Sequence, residues 1–380
     1  MQIDANPHRT PGQLIAAALK EKEWTQRVLA IVLGMDETGI NKLIADKRPV
    51  TAELAVALEE VLGTPAKALL DLQSEFDLAK ARYAVRPDPG RTTRAHIFSG
   101  LPVAEMIRRG WLDAPDVRDV PAVEAALRTF FGTDDLDDIP VLPHAPRKTD
   151  LAANTTPAQV AWLYRAREIA SEMLVARYTP STGRRTLPRL SALLSSAEEA
   201  RKVPRILAES GIRYVVVESL SSAKIDGACF WLNDESPVVA MTLRYDRIDN
   251  FWFVLRHELE HMLRGHGRET PVIVDSNLDG SQDRDEAPLE ERLANAAAAE
   301  FCVPQDKLQR FIERKEPFFS ERDIVGFAKT LGIHPGLVAG QLQHKTGRYE
   351  RFRKHLVTIR EIVRPNAVVD GWGDIAPIGL

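Results

Sequence analysis

After Gly211 the chain changes character. Three short runs, IRYVVVE (212–218), GACFWL (227–232) and PVVAMTLR (237–244), are β-branched or aromatic and are separated by turn residues, the signature of strands. Before that point the clear patterns are helical, at 101–110, 121–131, 157–178 and 187–210. After the three runs comes one long helical stretch, about 247–264, stopped by Gly265 and Gly267. Three strands leading into a long helix, with helices elsewhere, predict an α+β fold that is mostly α.

A chain of 380 residues exceeds one ordinary core, so two or three domains are expected. From Thr10 to about Tyr83 the sequence reads as five short helices. Thr10-Pro11 and Thr64-Pro65 set a capping hydroxyl before a proline suited to the first turn, and Thr25, Asp36 and Thr51 are further caps. Gly34 separates the helix 26–33 from the helix 37–45, which is the helix-turn-helix arrangement. RPDPGRTTR, ending at Arg94, has two prolines, a glycine and no apolar period, so a linker is placed at 86–94. The expected divisions are 1–85, the linker, a helical middle region 95–205 and a final domain 206–380. Residues 268–287 are polar and acidic and read as a loop; Leu289 to Val303 is an alanine-rich helix, and more helices fill 305–363.

Composition, 44% hydrophobic and 27% charged, belongs to a soluble globular protein. No apolar run reaches eighteen residues and the N-terminus lacks a signal-peptide pattern, so a cytoplasmic home is expected. Cys229 and Cys302 have no CxxC partner, which argues against both a disulfide framework and a thiolate metal site.

In a helix-turn-helix the start of the second helix meets base edges, and basic residues around it hold phosphates. The candidate base readers are therefore Thr38, Asn41 and Lys42, with Lys47, Arg48 and Arg27 on phosphate. The formal charge of -4 offers no global attraction to nucleic acid, and residues 1–83 hold ten Lys and Arg against twelve Asp and Glu. Two half-sites read by a homodimer would compensate for a weak single one.

In RHELEHMLRGH (256–266), His257 and His261 are one helical turn apart and project toward one point, as zinc ligands do. Glu258 is offset, so its carboxylate reaches a water beside the metal and suits a general base. A catalytic zinc wants a third protein ligand. His266 lies five residues past His261, which turns it off that face, and the HExxHxxGxxH pattern fails because position 264 is Arg and position 267 is Gly. On APLEERLANAAAAEFCVP, Glu291 and Asn295 are one turn apart among alanines that let two helices approach closely, so Glu291 is the favoured third ligand, with Glu290 and Glu300 as rivals. Glu260 has Arg264 four residues on and reads as a solvated ion pair. His344 could stabilise an oxyanion or grip substrate if the C-terminal helices fold back over the site.

HELEH followed by EERLANAAAAEFCVP resembles the ImmA/IrrE family of zinc metallopeptidases, over roughly 205–345. That resemblance implies a zincin-like domain, Zn2+ on His257, His261 and Glu291, and Glu258 as base. Glu260 stands for the usual glycine, Leu293 where an acidic or amide residue is frequent, and Ala297 for the usual phenylalanine. These changes touch pocket shape and substrate choice and remove no ligand. Residues 8–83 are similar to the helix-turn-helix domains of HigA-type antitoxins and phage repressors, and LPVAEMIRRGW (101–111) and IHPGLVAGQLQH (333–344) are similar to segments of fusions between the two classes. The resemblance implies a regulator that binds operator DNA and cleaves a protein: a repressor, an antitoxin, or itself in the linker. An extended substrate is expected to add to the edge of the strand 237–244. The competing expectations are a non-catalytic repressor or antitoxin whose second domain senses a ligand or metal, and a plain antitoxin with a toxin partner.

Overall fold

A computed structural model of the protein describes residues 8–84, 100–135, 155–268, 272–274 and 288–376, with single positions 91, 95 and 98. The chain divides into two compact units, Met1–Pro89 and Gly90–Leu380. Apart from Arg91, the expected linker lies outside the described residues.

Five helices build the first unit: α1 Pro11–Glu21, α2 Gln26–Leu33, α3 Glu37–Ile44, α4 Ala52–Leu62 and α5 Ala66–Ala84. The capping residues set their starts, because side-chain oxygens of Thr10, Thr25, Asp36 and Thr51 accept backbone N–H groups that the helix itself leaves orphaned. At the fifth start the acceptor is different: the Glu59 carboxylate takes the Ala66 N–H at 2.9 Å. Gly34 ends α2 in the left-handed region, φ 64°, which lets the chain turn sharply into α3. Ile15, Leu29, Ile40, Leu43, Leu58 and Leu69, all fully buried, form this unit's core.

The second unit is a mixed five-stranded sheet covered on both faces. β1 Arg213–Val217, β2 Gly227–Trp231 and β3 Pro237–Met241 fall inside the three expected runs. Two more strands of three residues each, β4 Val272–Val274 and β5 Val368–Asp370, extend the order to β4-β2-β3-β1-β5. β1 runs parallel to β3 and β5; β2 runs antiparallel to β3 and β4. Alternate side chains separate cleanly into two cores. Tyr214, Val216, Cys229, Trp231, Val239 and Met241 face one, while Val215, Val217, Ala228, Phe230, Val238 and Ala240 face the other. Burial on both faces explains why the strands read as continuous apolar runs and not as alternating ones.

The second of these cores is filled from the segment read as a helical middle region. Its helices α6 Val103–Arg108, α7 Val120–Phe131 and α8 Pro157–Glu172 contribute Met106, Leu127 and the fully buried Trp162. The Trp162 indole N–H donates to the Val217 carbonyl at 3.0 Å. The expected helix 187–210 is instead α9 Pro180–Ser191, which runs through Pro188, a 3-10 turn Ala197–Lys202, and α10 Val203–Glu209, with Pro204 in its first turn. On the other face lie α11 Ile248–Leu263, which follows β3, and α12 Leu289–Cys302, followed by α13 Gln305–Lys315, α14 Glu321–Leu331, α15 Pro335–Thr346 and the short α16 Arg360–Val363. The fold is thus α+β and mostly helical. No helix among the described residues is long and apolar enough to cross a membrane, and both cysteines are free and buried.

Candidate metal centre and nucleic-acid interface

α11 packs on β2 and β3 with one face and on α12 with another. The α12 contact is close because Ala294 and Ala298, both fully buried, form it. That approach brings the first turn of α12 to the HELEH segment. His257 Nε2 and His261 Nε2 lie 2.9 Å apart, and each is 3.3 Å from a Glu291 carboxylate oxygen. Donors around a tetrahedral zinc stand roughly 3.4 Å from one another, so three convergent donors at this spacing match a small tetrahedral cation. Among the described residues this is the one such group of His, Cys, Asp and Glu.

The rivals for the third position are occupied elsewhere. Glu300 accepts the Gln305 N–H at 2.9 Å. Glu290 points outward, 3.5 Å from His266 Nε2. His266 itself meets His261 on the far side of the ring, Nδ1 to Nδ1 at 3.0 Å. Asn295 Oδ1 lies 3.0 Å from His257 Nδ1, so it accepts that proton and leaves Nε2 free to bind a metal.

Glu258 is fully buried, and neither carboxylate oxygen has a hydrogen-bond partner. It sits against β2, where a Cβ on Gly227 would come within 2.8 Å of its Oε1. Burial pushes its carboxyl well above the ordinary range, and the charges of Glu291 and Asp226 add to that. An orphaned buried carboxylate beside three convergent donors fits the residue set of a metal site. His261 is pushed down to about 4, first by burial and then by His257, against an opposing pull from Glu291. For Glu291 burial works upward, but the hydrogen bond with His257 and the neighbouring histidines win, and its carboxyl falls below its usual value.

Two expectations need correction. Glu260 is not a solvated pair: Arg256 and Arg264 both reach it at 2.6 Å and its side chain is only 12% exposed. The strand 237–244 offers no edge either, since β3 is paired with β2 on one side and β1 on the other; the outer strand beside β2 is β4. His344 is half-buried on α15, which packs against α11 and α12. Gly227 and Asp226 escaped the sequence reading. A glycine opening a strand run that precedes an HExxH helix is the signal that could have found the first; for the second there was none.

In the first unit Thr38, Asn41 and Lys42 are exposed on α3, and Arg27, Lys47 and Arg48 are exposed around it. The backbone N–H groups of Lys47 and Arg48 both donate to the Lys42 carbonyl, at 2.8 and 3.1 Å, which wraps the two basic residues around the end of α3. The Asp36 carboxylate is engaged by the Gly39 N–H and serves as the helix cap.

Comparison with known proteins bears on this unit. Residues 15–69 match the family described as Helix-turn-helix. An uncharacterised HTH-type transcriptional regulator of Escherichia coli K12, YddM, is 30% identical over 78 residues, which is 20% of this chain and 83% of that one. The crystal structure of an antidote protein of a plasmid maintenance system from Nostoc punctiforme is 30% identical, spans 20% of this chain and 81% of its own, and has a TM-score of 0.19.

Proposed function

Because the chain belongs, through its N-terminal unit, to the helix-turn-helix family of transcriptional regulators, we propose that it is a DNA-binding regulator whose second unit is a zincin-like, zinc-dependent endopeptidase of the ImmA/IrrE type. α3 carries the base-reading residues Thr38, Asn41 and Lys42, and Lys47, Arg48 and Arg27 hold phosphates. The modest charge of the unit favours binding as a homodimer to two half-sites.

The observation that carries the peptidase half is the convergence of His257, His261 and Glu291 beside the partnerless carboxylate of Glu258. Those three residues would hold Zn2+, and the ion would supply Lewis acidity toward a scissile carbonyl. Glu258, held in a dry pocket against Gly227, takes a proton from the attacking water and hands it to the leaving amine. An extended protein substrate is best received along β4, the outer strand beside β2, because backbone pairing there runs next to the strand that carries Gly227. The substrate class that the ImmA/IrrE resemblance implies is a repressor or antitoxin.

Elemental analysis of wild type and of His257→Ala and Glu291→Ala tests the site: one zinc per chain in wild type and loss in both variants is expected. No zinc in wild type overturns the reading. Glu258→Gln should keep zinc and lose at least 100-fold in peptide cleavage. Full cellular regulation by Glu258→Gln would favour a metal sensor without catalysis.

A further inference from the structure

The turn that ends the HELEH helix, Arg264-Gly265-His266-Gly267, is built more rigidly than a helix terminus requires. Gly265 and Gly267 both adopt left-handed backbone, φ 79° and 80°, and a Cβ on Gly267 would stand 2.6 Å from the Cys229 carbonyl oxygen. The His266 N–H donates to the His261 carbonyl at 2.9 Å. Its own carbonyl accepts the Trp231 indole N–H at 3.0 Å, and the Arg268 guanidinium lies 3.9 Å over that indole. His266 is thus fixed to β2 on one side and to α11 on the other.

The result is the position of one imidazole. His266 Nδ1 lies 3.0 Å from His261 Nδ1, and His266 Nε2 lies 3.5 Å from Glu290 Oε1. If His261 uses Nε2 toward the three-donor cluster, its Nδ1 carries the proton and donates to His266 Nδ1. His266 is then protonated on Nε2, which faces Glu290. The companion ring is held in the same way by a different group, His257 Nδ1 against Asn295 Oδ1 at 3.0 Å.

Resting on the zinc reading above, we propose that His266 is a positioning residue: held by the two glycines and by the Trp231 indole on its carbonyl, it fixes the tautomer and orientation of His261 and so raises the affinity of the site for zinc. Outer hydrogen-bond partners of metal-bound histidines typically contribute 10–100-fold in affinity.

The test is zinc affinity of the full-length chain, by competition with a chromophoric chelator, for wild type, His266→Ala and His266→Asn. The expected result is a 10–100-fold weaker site in His266→Ala and recovery to within about threefold of wild type in His266→Asn, whose side-chain carbonyl can accept the same proton. Wild-type affinity in His266→Ala overturns the proposal while leaving the zinc site intact. Equal loss in both variants also overturns it, because packing and not the hydrogen bond would then be responsible. Absence of zinc from wild type overturns this inference together with the reading beneath it. As an independent check, imidazole 15N spectra of the zinc-loaded wild type should show His266 as the Nε2–H tautomer; an Nδ1–H tautomer contradicts the arrangement.

Discussion

A buried carboxylate with no hydrogen-bond partner costs about 1–3 kcal/mol or more, and folds keep one only where something else gains by it. Glu258 is such a group, and beside it His261 has an opposite pH signature. The His261 imidazole is shifted from 6.5 down to about 4. In the metal-free chain the unfolded state takes up that proton first. Stability from this group is therefore complete above about pH 6.5 and is lost as pH falls toward 4, by about 3 kcal/mol. Glu258, shifted upward, works the other way: its contribution is present at low pH and disappears as pH rises through its folded value. The comparison that isolates His261 is metal-free Glu258→Gln against the same variant with His261→Gln, followed by urea unfolding from pH 7 to 4. The single variant should lose more stability on acidification; parallel curves would refute the shift. At this scale the sequence was informative about the donors and silent about their supports. The four-residue spacing of His257 and His261 follows from helix geometry alone, whereas the His261–His266 contact depends on two left-handed glycines and on a strand 35 residues upstream.

Among the elements, those with a strong period were legible. The long helix was expected at 247–264 and spans Ile248–Leu263, and the three β-branched runs contain β1, β2 and β3. β4 and β5 were missed because three residues carry no measurable alternation, and β4 lies within what reads as a polar loop. The misplaced edge has a different cause: β1 and β2, the two neighbours of β3, are both among the three expected runs, but the order of strands in a sheet does not follow from their order in the sequence. The packing of β2 on α11 gives an element-scale prediction. Gly227→Ala would bring a methyl group within 2.9 Å of Val254 as well as 2.8 Å of Glu258 Oε1, and both lie on the same helix. Under the proposed peptidase reading, displacing the Glu258 carboxylate should lower kcat/KM on the order of 100-fold while zinc per chain remains at the wild-type value. Loss of zinc in this variant would mean that the whole of α11 had shifted, against the expectation.

For the whole molecule, the two units have separate cores, and the three donors belong entirely to the second. Under the proposed zinc reading, chelator should lower the unfolding temperature of one calorimetric transition and leave the other in place, because a ligand stabilises only the cooperative unit that holds it. A uniform shift of both transitions would show that the units melt together. The sheet's strand order has a further consequence, in the time order of synthesis. β2, β3, α11 and α12 are all complete by Cys302, yet β5, which pairs with the open side of β1, begins only at Val368. A chain emerging from the ribosome thus assembles the face that carries the three convergent donors while one sheet margin is still bare. During that interval the nascent protein is exposed to edge-to-edge association, which the pairing of β5 with β1 brings to an end, fastened by the Asp370 contacts with Trp111 and Arg165.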